Sequence, residues 1–321
     1  MIRSARLPPP VGPGDRVGVA ALSGPVDPGR LAAGMDALRR LGFEPVPADN
    51  LASRHGFFAG TDAERLAAFH RLAADPDLPA ILFARGGHGL LRLLPAIDWD
   101  LLRRRPRAYV GYSDLTPLLL GIVERLGWVT FHGPLVAGDL ARGLSADEEA
   151  SFLGVLAGRY PVVEPLGRVL RGTASGRGAA AAGPFVGGCL SLLAAVQGTP
   201  YFPDLEGALL FWEDINEPPY KIDRMLTQLG LSGRLRAIEG MIVGHLGWTE
   251  APVTGGGAEG GAVGTTDWPA VVAESVAGFD WPLVWGLESG HLRPNHTLPL
   301  GLGARLEARP DAAAGEIVFE G

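Results

Sequence analysis

Short apolar runs alternate with amphipathic helical patterns along the first 140 residues. Apolar runs at 16–22 and 81–83 predict strands, and Asp27 followed by Pro28 predicts the start of a helix. Strands that alternate with helices of this length form a parallel sheet that helices cover on both faces. The sequence therefore predicts an α/β fold with a doubly wound sheet for this part of the chain.

The chain changes character after residue 140. Residues 141–180 include polar, glycine-rich pieces that are typical of a connector between domains. From Gly187 the spacing of Leu190, Leu193 and Ala194 predicts a helix, and later apolar runs predict a mixed, β-rich domain. We therefore expect an N-terminal domain over 1–140, a linker over 141–180 and a C-terminal domain over 181–321. The segment Gly255–Gly264 has no periodicity, which predicts a surface loop.

Composition argues against several classes of protein. The formal net charge of −7 disfavours a nucleic-acid partner, because phosphate binding needs a cationic surface. Cys189 is the only cysteine, which excludes an internal disulfide framework and a cysteine-based zinc site. The N-terminal residues lack the apolar core of a signal peptide, and glycine, proline and serine interrupt the longest apolar stretch. We expect a cytoplasmic protein without a membrane anchor.

Ser113 lies between a predicted strand and a predicted helix. The apolar run Ala108–Val110 precedes Gly111, and an apolar helical pattern begins at Leu115. A serine on such an elbow has its hydroxyl exposed at the end of the sheet, as a nucleophile requires. A serine before an acidic residue is also typical of a helix N-cap, so this position by itself leaves both interpretations open.

Two other segments supply the groups that a nucleophilic serine needs. Glu213 stands at the end of a continuous apolar run, where a buried carboxylate must be paired. His291 opens a loop rich in proline and glycine, and a neutral imidazole suits general-base work. Together Ser113, Glu213 and His291 offer a nucleophile, a base and a residue that orients the base. Cys189 is a poor rival nucleophile, since small buried cysteines are usually inert.

The segment Arg85–Gly89 is a glycine-rich turn before an apolar helical pattern. It lacks the glycine spacing of a dinucleotide fingerprint and the lysine of a phosphate-binding P-loop. We expect it to supply an amide donor instead, so that the Gly87 and Asp114 amides flank one oxyanion. Arg85 and Arg293 are candidates for binding a carboxylate of a substrate.

The chain resembles the LD-carboxypeptidase family of serine peptidases, which also contains microcin-immunity peptidases. Matching segments run over nearly the whole length, and several of them in register make the resemblance specific. They are Gly14–Val19, Phe58–Asp62, Arg85–Gly87, Gly111–Thr116, His132–Pro134, Gly198–Pro200, Glu213–Leu229 and His291–Gly301.

This resemblance implies a flavodoxin-like N-terminal domain and a β-rich C-terminal domain. It implies a catalytic triad of Ser113, Glu213 and His291, with the oxyanion amides at Gly87 and Asp114. The implied reaction releases the terminal D-alanine of a murein tetrapeptide during cytoplasmic cell-wall recycling, without a metal or other cofactor. The resemblance also implies a homodimer.

Three positions depart from the family pattern, and two other functions stay open. His88 stands where the family commonly has tyrosine, Cys189 where asparagine is usual, and Ala21-Leu22-Ser23 where Ala-Pro-Ser often follows the first strand. None belongs to the triad, but we expect these departures to alter the shape of the substrate pocket. The alternatives are a microcin-immunity-type peptidase acting on aminoacyl-nucleotide analogues and a murein-peptide binding protein without turnover.

Overall fold

A computed structural model describes residues 5–172, 179–247, 267–308 and 314–321. Its first sheet has a parallel core from the N-terminal part of the chain, with the strand order β2-β1-β3-β4-β5. These strands are β1 (Arg16–Ala20), β2 (Glu44–Pro47), β3 (Ala80–Phe83), β4 (Ala108–Gly111) and β5 (Thr130–His132). The predicted α/β fold with a parallel sheet is confirmed. The flavodoxin-like classification stays a prediction.

The second sheet is mixed, as the sequence predicts. Its strand order is β6-β14-β13-β8-β9-β10-β11-β7, with β8 to β11 parallel, while β12 leaves to pair antiparallel with β5 in the first sheet. The strands are β6 (Val162–Leu166), β7 (Arg168–Arg171), β8 (Ala179–Cys189), β9 (Leu209–Ile215), β10 (Gly240–Gly247), β11 (Leu283–Trp285), β12 (Leu298–Leu300), β13 (Gly303–Ala308) and β14 (Gly315–Phe319).

Helices accompany the strands throughout the described residues. Asp27 caps the first helix as predicted, because its side chain accepts the Arg30 amide proton at 2.8 Å and Pro28 fixes the first turn. The helices are α1 (Pro28–Arg40), α2 (Asp62–Ala74), α3 (Trp99–Arg103), α4 (Thr116–Leu126), α5 (Ala146–Leu156), α6 (Leu190–Val196), α7 (Pro219–Leu231) and α8 (Trp268–Ser275).

The two sheets share one hydrophobic core. Buried residues from both, such as Val19 and Phe211, belong to one contiguous cluster. Helix α4 packs against β8 and α6, and β12 extends the first sheet with a strand from the C-terminal part. The carboxyl ends of β3 and β4 therefore lie next to the second sheet. Ser113 and His291 lie at this seam.

Two local expectations were wrong. The apolar pattern after Arg85–Gly89 forms two short 3₁₀ turns, Leu90–Arg92 and Leu94–Ala96, instead of a helix. Gly187 and Gly188 do not begin a helix but end strand β8, at φ 146° and 144°. A Cβ at Gly187 would lie 1.7 Å from the Phe211 carbonyl oxygen, so glycine is needed for β8 to approach β9.

The predicted domain boundaries stay predictions. Within the predicted linker 141–180, the structure shows helix α5 and strands β6 and β7, which pair with β14 and β11 of the second sheet. Most of this segment is thus regular secondary structure. The predicted loop Gly255–Gly264 lies outside the described residues.

Candidate active site

Ser113 occupies a strained turn between β4 and α4. Its φ is +64°, and among the described non-glycine residues only Asn216 is also at positive φ. A single 3₁₀ turn, Ser113–Leu115, separates the end of β4 from the first residue of α4. Such a backbone costs about 1–3 kcal/mol and is concentrated at functional sites. The predicted strand-to-helix elbow is confirmed.

The glycine-rich loop after β3 packs directly against this elbow. A Cβ at Gly86 would lie 2.8 Å from Ser113 Cβ and 2.9 Å from its Oγ, so glycine is needed for this approach. Gly87 has φ +116°, and its amide donates to no acceptor among the described residues. Gly87 and Asp114 line the same cavity as Ser113, as an oxyanion site next to the nucleophile requires.

Glu213 and His291 form a close pair. Glu213 lies in β9 and is fully buried, and its Oε2 is 2.7 Å from His291 Nδ1. The same oxygen accepts the His291 backbone N–H at 3.1 Å, which fixes the loop as well as the ring. Gly290 makes the approach possible, since a Cβ there would lie 2.7 Å from Glu213 Oε2. The two residues predicted as base and orienting acid are therefore in contact.

Despite its burial, the pair favours an ionised Glu213 carboxylate beside a protonated His291 ring. Burial opposes ionisation of Glu213, but the charge and hydrogen bonds of His291 outweigh it and lower the pKa of the carboxyl. Burial likewise opposes protonation of His291, but the Glu213 carboxylate outweighs it and raises the pKa of the imidazole. Glu213 thus stabilises an imidazolium at this position.

Ser113 and His291 line the same two cavities. The first cavity has a volume of about 930 Å³ and the second about 530 Å³, and both are lined by Gly87, Ser113 and His291. The Tyr112 ring packs edge-on against the His291 ring at 4.9 Å between centroids. Ser113 Oγ makes no hydrogen bond with the imidazole within the described part of the chain. Such contacts are often long before substrate binds.

Asp214 and Cys189 line the first cavity next to each other. Burial and the charge of neighbouring Glu213 raise the pKa of Asp214 to about 6. Its Oδ2 accepts the Ser191 amide proton at 2.7 Å and lies 3.7 Å from Cys189 Sγ. Burial, followed by the charge of Asp214, raises the pKa of the Cys189 thiol well above its ordinary value. The thiol therefore stays protonated, which opposes a nucleophilic role.

The two candidates for carboxylate binding lie in different environments. Arg85 lines the second cavity. Arg293 instead donates hydrogen bonds to Glu148 and to the Gly143 carbonyl, and it is not among the residues that line either cavity. The structure thus brings Arg85, but not Arg293, to Ser113.

Comparisons with known proteins identify the family of this chain. Residues 17–133 match the family model of the LD-carboxypeptidase N-terminal domain. Residues 182–306 match the family model of the LD-carboxypeptidase C-terminal domain. The chain belongs to the LD-carboxypeptidase family. It is an enzyme, a serine-type carboxypeptidase.

Members of the LD-carboxypeptidase family resemble this chain over nearly its whole length. A relative from Streptomyces coelicolor, whose name describes a carboxypeptidase, is 38% identical and covers 96% of this chain and 94% of its own. The microcin C7 self-immunity protein of Escherichia coli is 27% identical, covering 92% and 91%. The crystal structure of muramoyltetrapeptide carboxypeptidase from Oxalobacter formigenes has a TM-score of 0.82 at 28% identity, covering 95% and 99%.

Sequence reasoning missed several residues at or next to the cavities of this LD-carboxypeptidase. Arg30 and Arg142 line the second cavity, and both side chains are exposed. Neither arginine belongs to a motif that the sequence analysis identified. His132 is fully buried beside Tyr112, and burial lowers its pKa to about 4, so its ring stays neutral. The segment His132–Pro134 contributed to the family resemblance, and this was its only signal.

No helix in the described ranges is both long and apolar enough to cross a membrane.

Proposed function

We propose that this enzyme hydrolyses the L,D peptide bond of a murein tetrapeptide and releases its terminal D-alanine. One observation carries the proposal: His291, paired with Glu213, lines the same cavities as Ser113, whose backbone is strained at a strand-to-helix elbow. The murein substrate is supported by the resemblance to a muramoyltetrapeptide carboxypeptidase. Cytoplasmic location, a role in cell-wall recycling and homodimeric assembly stay predictions.

His291 acts as the base in this proposal. In the neutral tautomer its Nδ1–H donates to Glu213 Oε2, which leaves the lone pair of Nε2 to take the Ser113 proton. Ser113 Oγ attacks the carbonyl carbon of the penultimate, L-centred residue. Glu213 holds the ring in this tautomer and stabilises the imidazolium that results.

The Gly87 and Asp114 amides donate to the oxygen of the tetrahedral intermediate. Loss of one such donor typically costs about 2.7–4 kcal/mol of transition-state stabilisation. The intermediate collapses as His291 Nε2 gives its proton to the leaving nitrogen, and D-alanine departs. Water, deprotonated by the same ring, then hydrolyses the Ser113 ester and regenerates the hydroxyl.

Digestion of a murein tetrapeptide by the purified protein tests the proposal. Mass spectrometry is expected to show the tripeptide and free D-alanine for the natural chain, and neither product for Ser113→Ala. The thermal unfolding of Ser113→Ala serves as the control for folding. Retained turnover in Ser113→Ala would reject the nucleophile, whereas tight binding without release by the natural chain would indicate a peptide-binding protein.

A second candidate substrate is an aminoacyl-nucleotide analogue, as for a microcin-immunity peptidase. Phe57 and Phe58 line the first cavity, and Phe57 is exposed, so an aromatic surface for a nucleobase is present. The resemblance to the microcin C7 self-immunity protein of Escherichia coli also favours this candidate. Side-by-side rates on the tetrapeptide and on an aminoacyl-sulfamoyl adenylate distinguish the two substrates.

A further inference from the structure

The bond cleaved at Ser113 lies where two cavities meet. Because Gly87, Ser113 and His291 line both of them, a substrate whose carbonyl reaches Ser113 extends into both. The first cavity, at about 930 Å³, suits the longer acyl portion of a peptide. The second, at about 530 Å³, suits a single leaving amino acid. This assignment rests on the proposed function.

The charges of the two cavities differ. The first is lined by three acidic residues, Asp114, Asp214 and Glu217. Glu217 is paired with Lys221 at 3.0 Å, and Arg92 of the same cavity is paired with Asp62 at 2.9 Å. The second is lined by one carboxylate, that of Asp27, and by three arginines: Arg30, Arg85 and Arg142. Oδ1 of Asp27 is already engaged in capping α1. The second cavity therefore has a surplus of positive charge.

Two of the three arginines have no carboxylate partner among the described residues. The Arg85 guanidinium donates only to main-chain carbonyls, those of Pro25 and Gly86, at 2.9 and 3.2 Å. Its Nη2 has no such partner and lies 3.6 Å from the position that a Gly87 Cβ would take. Arg30 makes no side-chain ion pair in the described ranges. Both are exposed, so their charges are accessible.

The third arginine is held in place beside the elbow. Arg142 donates to Asp139 Oδ1 at 2.6 Å, and the Tyr112 hydroxyl donates to the same oxygen at 3.4 Å. Tyr112 directly precedes Ser113. Asp139 thus anchors Arg142 next to the nucleophile, although it offsets part of its charge.

We propose that Arg30, Arg85 and Arg142 form the subsite for the α-carboxylate of the leaving amino acid. A guanidinium binds a carboxylate through two parallel N–H donors, which fixes orientation as well as charge. With the carboxylate held here, only the last peptide bond reaches Ser113. The subsite makes the enzyme an exopeptidase.

Kinetics on a matched pair of substrates test the subsite. The pair is the tetrapeptide with a free C-terminal carboxylate and the same peptide with a C-terminal amide. For Arg85→Leu and Arg30→Leu, we expect kcat/KM on the free acid to fall about tenfold to a hundredfold, the range for a charge-assisted hydrogen bond. Hydrolysis of the amide should change little. Arg39→Leu, on the exposed face of α1 and paired with Asp36, is the matched control.

Binding to Ser113→Ala gives a readout that does not need turnover. In this background the free acid should bind more tightly than the amide, and adding Arg85→Leu should remove the preference. Equal losses on acid and amide would overturn the subsite while D-alanine release still supports the proposed function. Release of no product from either peptide by the natural chain would overturn the proposed function and the subsite with it.

Discussion

Two histidine–glutamate pairs occur among the described residues, and their local geometries are nearly the same. His291 Nδ1 lies 2.7 Å from Glu213 Oε2, and His296 Nδ1 lies 2.6 Å from Glu164 Oε2. Both carboxylates are buried, and the glutamates raise the pKa of both histidines. A histidine held by a buried carboxylate is thus not by itself a sign of catalysis.

The pairs differ in what lies beyond the imidazole. His291 lines both cavities together with Ser113. His296 lines neither cavity, and its Nε2 is buried without a hydrogen-bond partner in the described ranges. The comparison indicates that the pair supplies basicity, while the cavity and the nucleophile determine whether that basicity is used.

Replacing each histidine by alanine gives the largest expected difference between the pairs. In His291→Ala, kcat for D-alanine release should fall by on the order of 10⁵-fold or more, because a triad loses its base. In His296→Ala, kcat should remain nearly unchanged, since this ring lines neither cavity. Similar losses in both variants would show that the two pairs are not functionally distinct.

Replacing each glutamate by glutamine gives the next largest difference. Glu213→Gln should lower kcat by about 10⁴-fold, since the amide favours the wrong tautomer of His291 and does not stabilise the imidazolium. Glu164→Gln should leave kcat nearly unchanged. Steady-state kinetics at one pH measure both, and a full rate in Glu213→Gln would remove Glu213 from the proposed triad.

The pH dependence of kcat/KM distinguishes the pairs by a shift along the pH axis. Activity should rise with pH through the raised pKa of His291, because the base must be neutral. Glu213→Gln removes the carboxylate that raises this pKa, so the acid limb should move to lower pH. Glu164→Gln should leave it in place, and a shift in that variant would contradict the separation of the two pairs.

The smallest expected effect is on stability, at His296. Its hydrogen bond with Glu164, opposed by burial, raises the pKa of His296, so this contribution is fully present below the unfolded value of about 6.5. The contribution is lost as pH rises through the higher folded-state pKa. Glu164→Gln should lower the free energy of unfolding by about 1–3 kcal/mol at pH 6, and by less at pH 8. Denaturant titrations measure this, and an equal loss at both pH values would contradict it.

Much of the site could be predicted because its signals are local. The apolar strand, Gly111 and Ser113 are consecutive, so the elbow follows from a few residues. Glu213 directly follows a continuous apolar run, and a buried carboxylate requires a partner wherever the chain folds. The parallel sheet follows from the alternation of elements.

Other features depend on distant contacts. The sequence around Gly187 and Gly188 predicts a helix start, but Gly187 packs against the Phe211 backbone of the neighbouring strand and Gly188 against the Thr116 side chain. Arg293 stands near His291 in sequence, yet Glu148 holds it away from the cavities, whereas Arg142 reaches Ser113 from another element. No local pattern separates these arginines, because their positions depend on which carboxylates the fold places beside them.

The sequence by itself determined the class of the fold, the turn that carries Ser113 and the need for a partner at Glu213. These follow from backbone sterics and the cost of burying charge, which act over a few residues. Only the tertiary structure decided which of two histidine–glutamate pairs lines cavities with the serine, and which arginines accompany it. Such choices depend on the packing of β9, the His291 loop and the elbow, which come together only when the two sheets bury a common core.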